Sequence, residues 1–367
     1  MSQDLAKSRC ALLVAAAFAA LLLLPTAEAG AVGRAFYGVV QAQTPTPAEF
    51  ETMGATQVGT YRFPLDWSQV QQAEGGPFDW SEVDAELENV ALNGIEPLPT
   101  LYGSPNFIGP HREPPLGSSA AEQGWKDFLA AAAERYGPGG EFWTTFALDH
   151  PGVDPRPIEW WQVWNEQNSP TFYEPKPSPN QYAELLEISD EALEEVDSGA
   201  KVVVGGMFGT PGRKTAIYSW KFLKRLYQVN GAKRHFDAVA LHPYSPNISG
   251  LRAQIELARD KMKKVGGRNT PIWITELGWG SAGTKSHPLI KSEKGQKKLL
   301  RKSFNLLLDK RGKWKIRRVM WFSWRDPGDG EDIIGGVCHW CASAGLFDAD
   351  LDPKPSFNRF QRFTGAR

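Results

Sequence analysis

Residues 158–168 read IEWWQVWNEQN, a run of β-forming residues that ends in the polar segment WNEQN. A second run, PIWITELGW at 271–279, places Glu276 directly after another stretch of the same kind. Strands rich in aromatic and β-branched residues are typical of sheets buried on both faces. Each run therefore predicts a buried strand with one glutamate, Glu166 or Glu276, at its carboxyl end.

Six more segments share this β-rich character, and together they give eight predicted strands: 35–41, 56–63, 95–101, 158–165, 201–206, 236–242, 271–276 and 318–324. Helical periodicity is found between many of them, at 120–135, 180–197, 214–229, 252–265 and 292–310. The Pro/Gly-rich stretches 103–117 and 136–157 are expected to be loops. Alternating β and α segments predict an α/β fold, and eight of them predict a single-domain (β/α)8 TIM barrel.

A doubly wound open sheet is the alternative to the barrel. It would carry a phosphate-binding glycine loop after the first strand, and the sequence after 35–41 has none. Residues 209–215, GTPGRKT, resemble a P-loop in composition but lack its Gly-Lys step. The barrel is therefore the preferred prediction.

The charge balance argues against one class of partner. Lys plus Arg is 41 against 42 for Asp plus Glu, a net charge of −1 over 367 residues. Such a chain has no basic field to attract phosphates, so no nucleic-acid partner is expected. The sequence gives no indication of the oligomeric state.

The amino terminus has the pattern of a secretory signal peptide. A basic segment around Lys7 precedes the apolar residues 11–24, and Ala-Glu-Ala at 27–29 forms an A-x-A cleavage site. We expect residues 1–29 to be removed and 30–367 to form one secreted domain, extracellular or in the periplasm or cell envelope, without stable membrane association. An uncleaved anchor is the alternative, but the apolar stretch is shorter than the roughly 20 residues that span a bilayer.

Two of the three cysteines lie outside the predicted signal. Cys338 and Cys341 form the motif Cys-His-Trp-Cys. In an oxidising compartment such a pair is expected to form one local disulfide. A zinc site would need two more ligands, and only His339 lies nearby, so the sequence predicts no metal and no cofactor.

Two carboxyl groups at the mouth of a barrel are the usual means of breaking a glycosidic bond. One protonates the leaving oxygen, the other acts on the opposite side of the sugar, and no metal is needed. The indole and amides around Glu166 also suit a sugar, since aromatic faces stack on it and amides bind its hydroxyls. For any single acidic residue the alternative is a helix cap or a solvated loop charge.

Other side chains at the predicted strand ends support the pair, because barrel loops converge on one mouth. Arg62, near the end of strand two, is expected to hold Glu276 ionised. His242 and Tyr244 follow strand six, and the Tyr244 hydroxyl is expected to hydrogen-bond the same carboxylate. Trp324 ends strand eight, where we expect it to form the floor of a sugar subsite.

Strand alternation makes a further prediction for strand four. Gln162 and Trp164 share the inward face with Glu166, since residues two apart point the same way. Asn165 and Glu166 are adjacent and cannot both point inward on a regular strand. A β-bulge is therefore expected between them.

WNEQN and ITELGW resemble the acid/base and nucleophile motifs of glycoside hydrolase clan A, the retaining (β/α)8 glycosidases. The wider pattern, with VGTYRFPLDW, PLPTLYGSP and GLFDADLDPKPSF, is similar to bacterial members of or near family 39. The resemblance implies Glu166 as general acid/base, Glu276 as nucleophile and Asn165 as partner of the sugar 2-hydroxyl. It also implies that the attacked sugar is bound by Arg62, His242, Tyr244 and Trp324.

The sequence thus predicts a secreted retaining glycoside hydrolase that cleaves O-glycosidic bonds of an oligo- or polysaccharide by double displacement. Retention requires carboxyl groups about 5–5.5 Å apart, whereas inversion requires about 6.5–9.5 Å. Two alternatives stay open at this stage. One is a carbohydrate-binding barrel without catalytic activity, and the other is a transglycosylase that passes the same intermediate to a sugar hydroxyl.

Overall fold

The computed structural model describes residues 32–41, 43–284, 286–328 and 338–366. The predicted signal peptide, 1–29, lies outside these residues. Arg34–Arg367 forms one compact unit, and the description below concerns that unit.

Eight parallel strands close into a barrel, each paired with the next and the last paired with the first. The predicted (β/α)8 fold is therefore confirmed, and the open sheet is excluded because β8 pairs with β1 and the sheet has no edge strand. The strands are β1 (Tyr37–Val40), β2 (Thr60–Asp66), β3 (Glu96–Tyr102), β4 (Trp160–Asn165), β5 (Lys201–Phe208), β6 (Ala238–His242), β7 (Ile272–Ile274) and β8 (Ile316–Phe322).

Helices surround the barrel, and all five predicted from periodicity are present with shifted ends. The α-helices are α1 (Pro47–Ala55), α2 (Trp67–Val70), α3 (Ser81–Leu92), α4 (Ser119–Tyr136), α5 (Glu141–Asp149), α6 (Pro179–Val196), α7 (Ser219–Leu226), α8 (Ile248–Lys264), α9 (Glu293–Trp314) and α10 (Pro355–Thr364). None of the helices in the described part of the chain is long and apolar enough to cross a membrane.

Polar side chains set where the long helices begin. Ser118, Ser178, Asn247 and Ser292 each accept a hydrogen bond from the backbone N–H three residues further on. A cap of this kind satisfies one of the N–H groups that the first helical turn leaves without a partner. These caps place α4, α6, α8 and α9 at defined positions after the loops that shape the mouth of the barrel.

One predicted loop is partly wrong. Residues 136–157 contain helix α5, although 103–117 forms no helix or strand, as expected. The glycines and prolines of 136–157 lie at its ends, whereas Trp143 and Phe146 share one face of the helix and are buried. The burial of these two aromatic side chains stabilises a helix that the flanking residues alone do not indicate.

Candidate active site

The two glutamates meet at the carboxyl end of the barrel. Glu166 follows β4 directly, and Glu276 lies two residues after β7. One carboxylate oxygen of each, together with a ring nitrogen of His242, lie within 4.8 Å of one another. Both residues are almost fully buried, with 6% and 9% of their surface exposed. The barrel therefore brings together two carboxyl groups that are 110 residues apart in the chain.

The expected β-bulge at Asn165 and Glu166 is wrong. The pairing of β4 with β5 stays in register through Asn165, which lies opposite Gly206. Instead, Trp164 has a φ of 67° and Glu166 a φ of 44°. Left-handed backbone at a non-glycine residue costs about 1–3 kcal/mol, a cost typical of functional sites. This backbone turns both Asn165 and Glu166 toward the cavity, which both side chains line.

The same backbone moves Trp164 away from its predicted inward position. Its ring packs against Tyr102, Trp125 of α4 and Tyr173. Its indole N–H donates to the carbonyl oxygen of Phe172 at 2.7 Å. Trp164 therefore belongs to the aromatic core between barrel and helices, and it supports the catalytic strand end from outside.

Arg62 donates hydrogen bonds to three acceptors of the site. Its Nη1 donates to Oε1 of Glu276 at 2.7 Å, Nη2 to Oδ1 of Asn165 at 2.8 Å, and Nε to Oε1 of Gln162 at 2.7 Å. The predicted ion pair with Glu276 is thus present and buried. Because a guanidinium is planar and rigid, these bonds fix the relative positions of both strand ends.

Tyr244 and His242 complete the surroundings of the carboxylates. The Tyr244 hydroxyl donates to Oε2 of Glu276 at 2.7 Å, the predicted bond. His242 Nδ1 lies 2.8 Å from Oε1 of Glu166, and its Nε2 lies 3.0 Å from Oγ1 of Thr275. Burial, then the charge of Arg62, hold the pKa of His242 well below its usual range. His242 is therefore neutral, and a neutral ring that donates from Nδ1 accepts the Thr275 hydroxyl at Nε2.

Gly206 makes the position of His242 possible. A Cβ atom at Gly206 would lie 1.9 Å from Nε2 of His242, far inside van der Waals contact. Gly206 lies on β5, between the strand that carries Asn165 and the strand that carries His242. Sequence reasoning missed this glycine, although the pair Gly205-Gly206 inside a β-rich segment is a signal of close approach.

The two carboxyl groups differ in their electrostatic surroundings. Burial, then the negative charge of Glu276, raise the pKa of Glu166 well above its usual range. Burial also raises the pKa of Glu276, but the charge of Arg62 and the hydroxyl of Tyr244 oppose that rise. When the pair carries a single proton, the proton is therefore expected on Glu166 and the negative charge on Glu276.

Glu166, His242 and Glu276 are also of a residue type and spacing that can hold a metal ion. Two features of this site disfavour that use. Both oxygens of Glu276 already accept bonds from Arg62 and Tyr244, and the guanidinium supplies the positive charge that a cation would bring. These three side chains are therefore better suited to acid–base chemistry than to metal binding.

The predicted role of Trp324 is wrong. The β8 strand ends at Phe322, two residues earlier than expected, and Trp324 is 1% exposed. Its ring packs against Phe347, which precedes helix α10, and against Phe357 in the first turn of that helix. Trp324 is therefore part of the core and does not line the cavity that contains the glutamates.

The cavity wall contains residues that sequence reasoning did not assign to the site. Phe322 and Trp340 supply aromatic surface, and Cys338 and Cys341, joined in a disulfide, lie beside them. Part of the P-loop-like stretch 209–215 also forms the wall. The remaining wall residues are Ser169, Thr171, Phe172, Phe208, Pro211, Gly212, Arg213, His287 and Leu289. Most of them lie on loops, whose path the local sequence does not reveal.

Solved structures share this barrel at low sequence identity. A family 39 glycoside hydrolase from the gut symbiont Bacteroides cellulosilyticus WH2 matches with a TM-score of 0.67 at 20% identity, over 90% of this chain and 63% of that one. A monomeric beta-xylosidase from Caulobacter crescentus CB15 gives 0.63 at 16%, over 90% and 68%. GH5_18 from Streptomyces cattleya in complex with GlcNAc gives 0.64 at 15%, over 90% and 79%. The chain thus spans less than two thirds of the Bacteroides protein.

Sequence comparison adds a family to this shared fold. No curated protein sequence matches the chain. Residues 143–334, just over half of the chain, match the family described as Glycosyl hydrolase catalytic core. The matched region contains both glutamates together with His242 and Tyr244, and it agrees with the resemblance to glycoside hydrolases found in the sequence. The chain belongs to the glycosyl hydrolase catalytic core family.

Proposed function

We propose that the protein is a secreted retaining glycosidase that cleaves O-glycosidic bonds of an oligo- or polysaccharide. The observation that carries the proposal is the pair of buried carboxyl groups, Glu166 and Glu276, with oxygens within 4.8 Å of each other. Their partners differ in charge, since Glu276 is bound by a guanidinium and Glu166 by a neutral imidazole. Two carboxyl groups with separate protonation states are what a double displacement requires.

In the first step, the ionised Glu276 attacks the anomeric carbon of the sugar. The bond from that carbon to the leaving oxygen breaks as the new ester bond to Glu276 forms, and Glu166 gives its proton to the leaving oxygen. Arg62 and Tyr244 orient the attacking carboxylate. The Nδ2 of Asn165 has no hydrogen-bond partner among the described residues, and we assign it to a sugar hydroxyl.

In the second step, water replaces the departed group. Glu166, now a carboxylate, takes a proton from the water, and the water oxygen attacks the anomeric carbon. The ester bond to Glu276 breaks, and Glu166 recovers its proton. Because each step inverts the anomeric carbon, the product keeps the configuration of the substrate.

The spacing of the carboxyl groups favours retention over inversion. Inverting enzymes need about 6.5–9.5 Å between the groups, because a water molecule must fit beside the sugar, whereas retaining enzymes need about 5–5.5 Å. One oxygen of Glu166 lies within 4.8 Å of one oxygen of Glu276, which is closer than the separation of an inverting pair. Such a gap is too narrow for a water molecule beside the sugar, so the attacking group is Glu276 itself.

A substrate screen followed by NMR tests the reaction. Nitrophenyl glycosides and plant and bacterial polysaccharides would be tested for turnover, and the anomeric proton of the first product followed before mutarotation. We expect the product to have the anomeric configuration of the substrate. An inverted product would contradict the double displacement, and binding without any turnover would favour a carbohydrate-binding barrel.

Secretion is the second part of the proposal. It is supported by the signal pattern of residues 1–29 and by the Cys338–Cys341 pair, which suits an oxidising compartment. Expression of the full chain in a bacterial host, followed by amino-terminal sequencing of the exported protein, is expected to give a start near Gly30. A protein that stays in the cytoplasm with residues 1–29 attached would contradict export.

A further inference from the structure

Trp340 lies at the wall of the cavity that contains the glutamates. Its ring is 4.7 Å from the ring of Tyr244 and 5.8 Å from that of Phe322, in both cases at a steep angle. Tyr244 in turn donates to Glu276. The indole and Glu276 thus line the same cavity, and Tyr244 contacts both of them.

The loop after β7 is shaped to receive the Trp340 segment. A Cβ atom at Gly278 would lie 3.6 Å from the indole ring and 2.1 Å from the carbonyl oxygen of Phe322. A Cβ atom at Gly280 would lie 2.7 Å from the carbonyl oxygen of Trp340. Gly280 thus allows close approach of the Trp340 backbone, whereas Gly278 makes room for the Phe322 carbonyl.

The disulfide constrains the backbone on both sides of Trp340. Cys338 and Cys341 close a loop of four residues that contains Trp340, and the Cys341 N–H donates to the Cys338 carbonyl oxygen at 3.0 Å. Trp340 is 6% exposed and lines the cavity with both cysteines. A side chain that is held in place before binding loses little conformational freedom when a ligand arrives.

We propose that Trp340 is the aromatic wall of the sugar subsite at the two glutamates, and that the Cys338–Cys341 disulfide positions it. The inference rests on the proposed function. Aromatic faces bind the apolar C–H face of a sugar ring, and Phe322 alone would offer a smaller surface. Trp340 is the residue that touches the sugar, whereas the cysteines act through it. The subsite thus uses a residue from a crosslinked loop in place of Trp324.

The test uses the nitrophenyl glycoside that the wild-type enzyme turns over fastest. Trp340→Leu keeps apolar bulk without a flat ring, and Trp340→Phe keeps a smaller ring. The matched control is Trp160→Phe, at the opposite end of β4. We expect Trp340→Leu to raise KM about tenfold with kcat within about threefold, since lost uniform binding changes KM alone. The KM of Trp340→Phe is expected to lie between those of the wild type and Trp340→Leu. The KM and kcat of Trp160→Phe are expected to match those of the wild type.

The role of the disulfide needs a combined variant. Cys338→Ser with Cys341→Ser is expected to raise KM in the wild-type background but to add nothing in the Trp340→Leu background. Such non-additivity is expected only if the disulfide acts through the indole. Circular dichroism and the labelling of Glu276 by a 2-fluoro glycoside show in each variant that the fold and the nucleophile are intact.

Three results would overturn the inference, and they are distinguishable. An unchanged KM in Trp340→Leu, with normal labelling, would contradict the role of Trp340 as the aromatic wall but not the proposed function. If the loss of the disulfide and Trp340→Leu raise KM additively, the disulfide does not act through the indole. If the wild-type enzyme turns over no glycoside and takes no label, the proposed function fails, and this inference fails with it.

Discussion

Replacement of Glu276 by glutamine is expected to lower kcat for a nitrophenyl glycoside by on the order of 10⁵-fold, as is typical when an enzyme loses its nucleophile. Glutamine keeps the shape of the side chain and an oxygen for Tyr244, but an amide does not displace a leaving group. The loss of the negative charge also leaves Arg62 without its ionic partner. Steady-state kinetics, together with circular dichroism to show that the fold is kept, measure the effect.

Azide rescue of Glu276→Ala makes this prediction more specific. The smaller side chain leaves space for azide on the face from which Glu276 attacks. A single displacement by azide then inverts the anomeric carbon, so the glycosyl azide should have the configuration opposite to the substrate. Glu159→Gln, an exposed residue just before β4, is the matched control and should retain full activity. A Glu276→Gln variant with more than a tenth of the wild-type kcat would contradict the assigned role.

Replacement of Glu166 by alanine is expected to lower turnover by about 10²–10⁴-fold for substrates with poor leaving groups. With a dinitrophenyl leaving group the first step should proceed at nearly the wild-type rate, because that group departs without a proton. The second step should be slow, since no base activates water, so a burst of dinitrophenol is expected. Stopped-flow absorbance separates the two steps, and azide should now give a glycosyl azide of retained configuration.

The pH profile of the same variant tests the electrostatics of the site. Burial and the charge of Glu276 raise the pKa of Glu166, so Glu166 keeps its proton to a higher pH than an ordinary glutamate and loses it as the pH rises further. Wild-type kcat/KM should therefore fall on the basic side as the acid is lost. In Glu166→Ala with the dinitrophenyl substrate this basic limb should disappear. A basic limb that persists unchanged would assign it to another group.

The barrel was predictable because its pattern is local and repeated. Each buried parallel strand is encoded by a short β-rich run. Eight such runs with helices between them are compatible with few fold topologies. The site followed from the same regularity, since Glu166, His242 and Glu276 lie at or just after strand ends that converge in a barrel. Arg62 lies within β2, further from the strand end than expected, and its long side chain reaches the same site. Closure of the barrel then brings these side chains into contact.

The aromatic wall was not predictable by this route. Trp324 has the sequence position of a strand end, but β8 stops at Phe322 and the chain turns Trp324 into the core. Trp340 lies 18 residues after β8, in a loop, and only its place between two cysteines marks it in the sequence. Likewise, the left-handed backbone of Glu166 depends on its surroundings. Propensity rules do not foresee strain that tertiary contacts impose.

Trapping with a 2-deoxy-2-fluoro dinitrophenyl glycoside of the preferred sugar tests the central claim most directly. The fluorine slows both steps, and the good leaving group keeps the first one fast enough for the covalent intermediate to accumulate. Proteolysis and mass spectrometry of the labelled enzyme should place one sugar on the peptide that contains Glu276, and the label should be absent from Glu276→Gln. A label on the peptide that contains Glu166, or turnover of the parent glycoside with inversion and no label, would contradict the account.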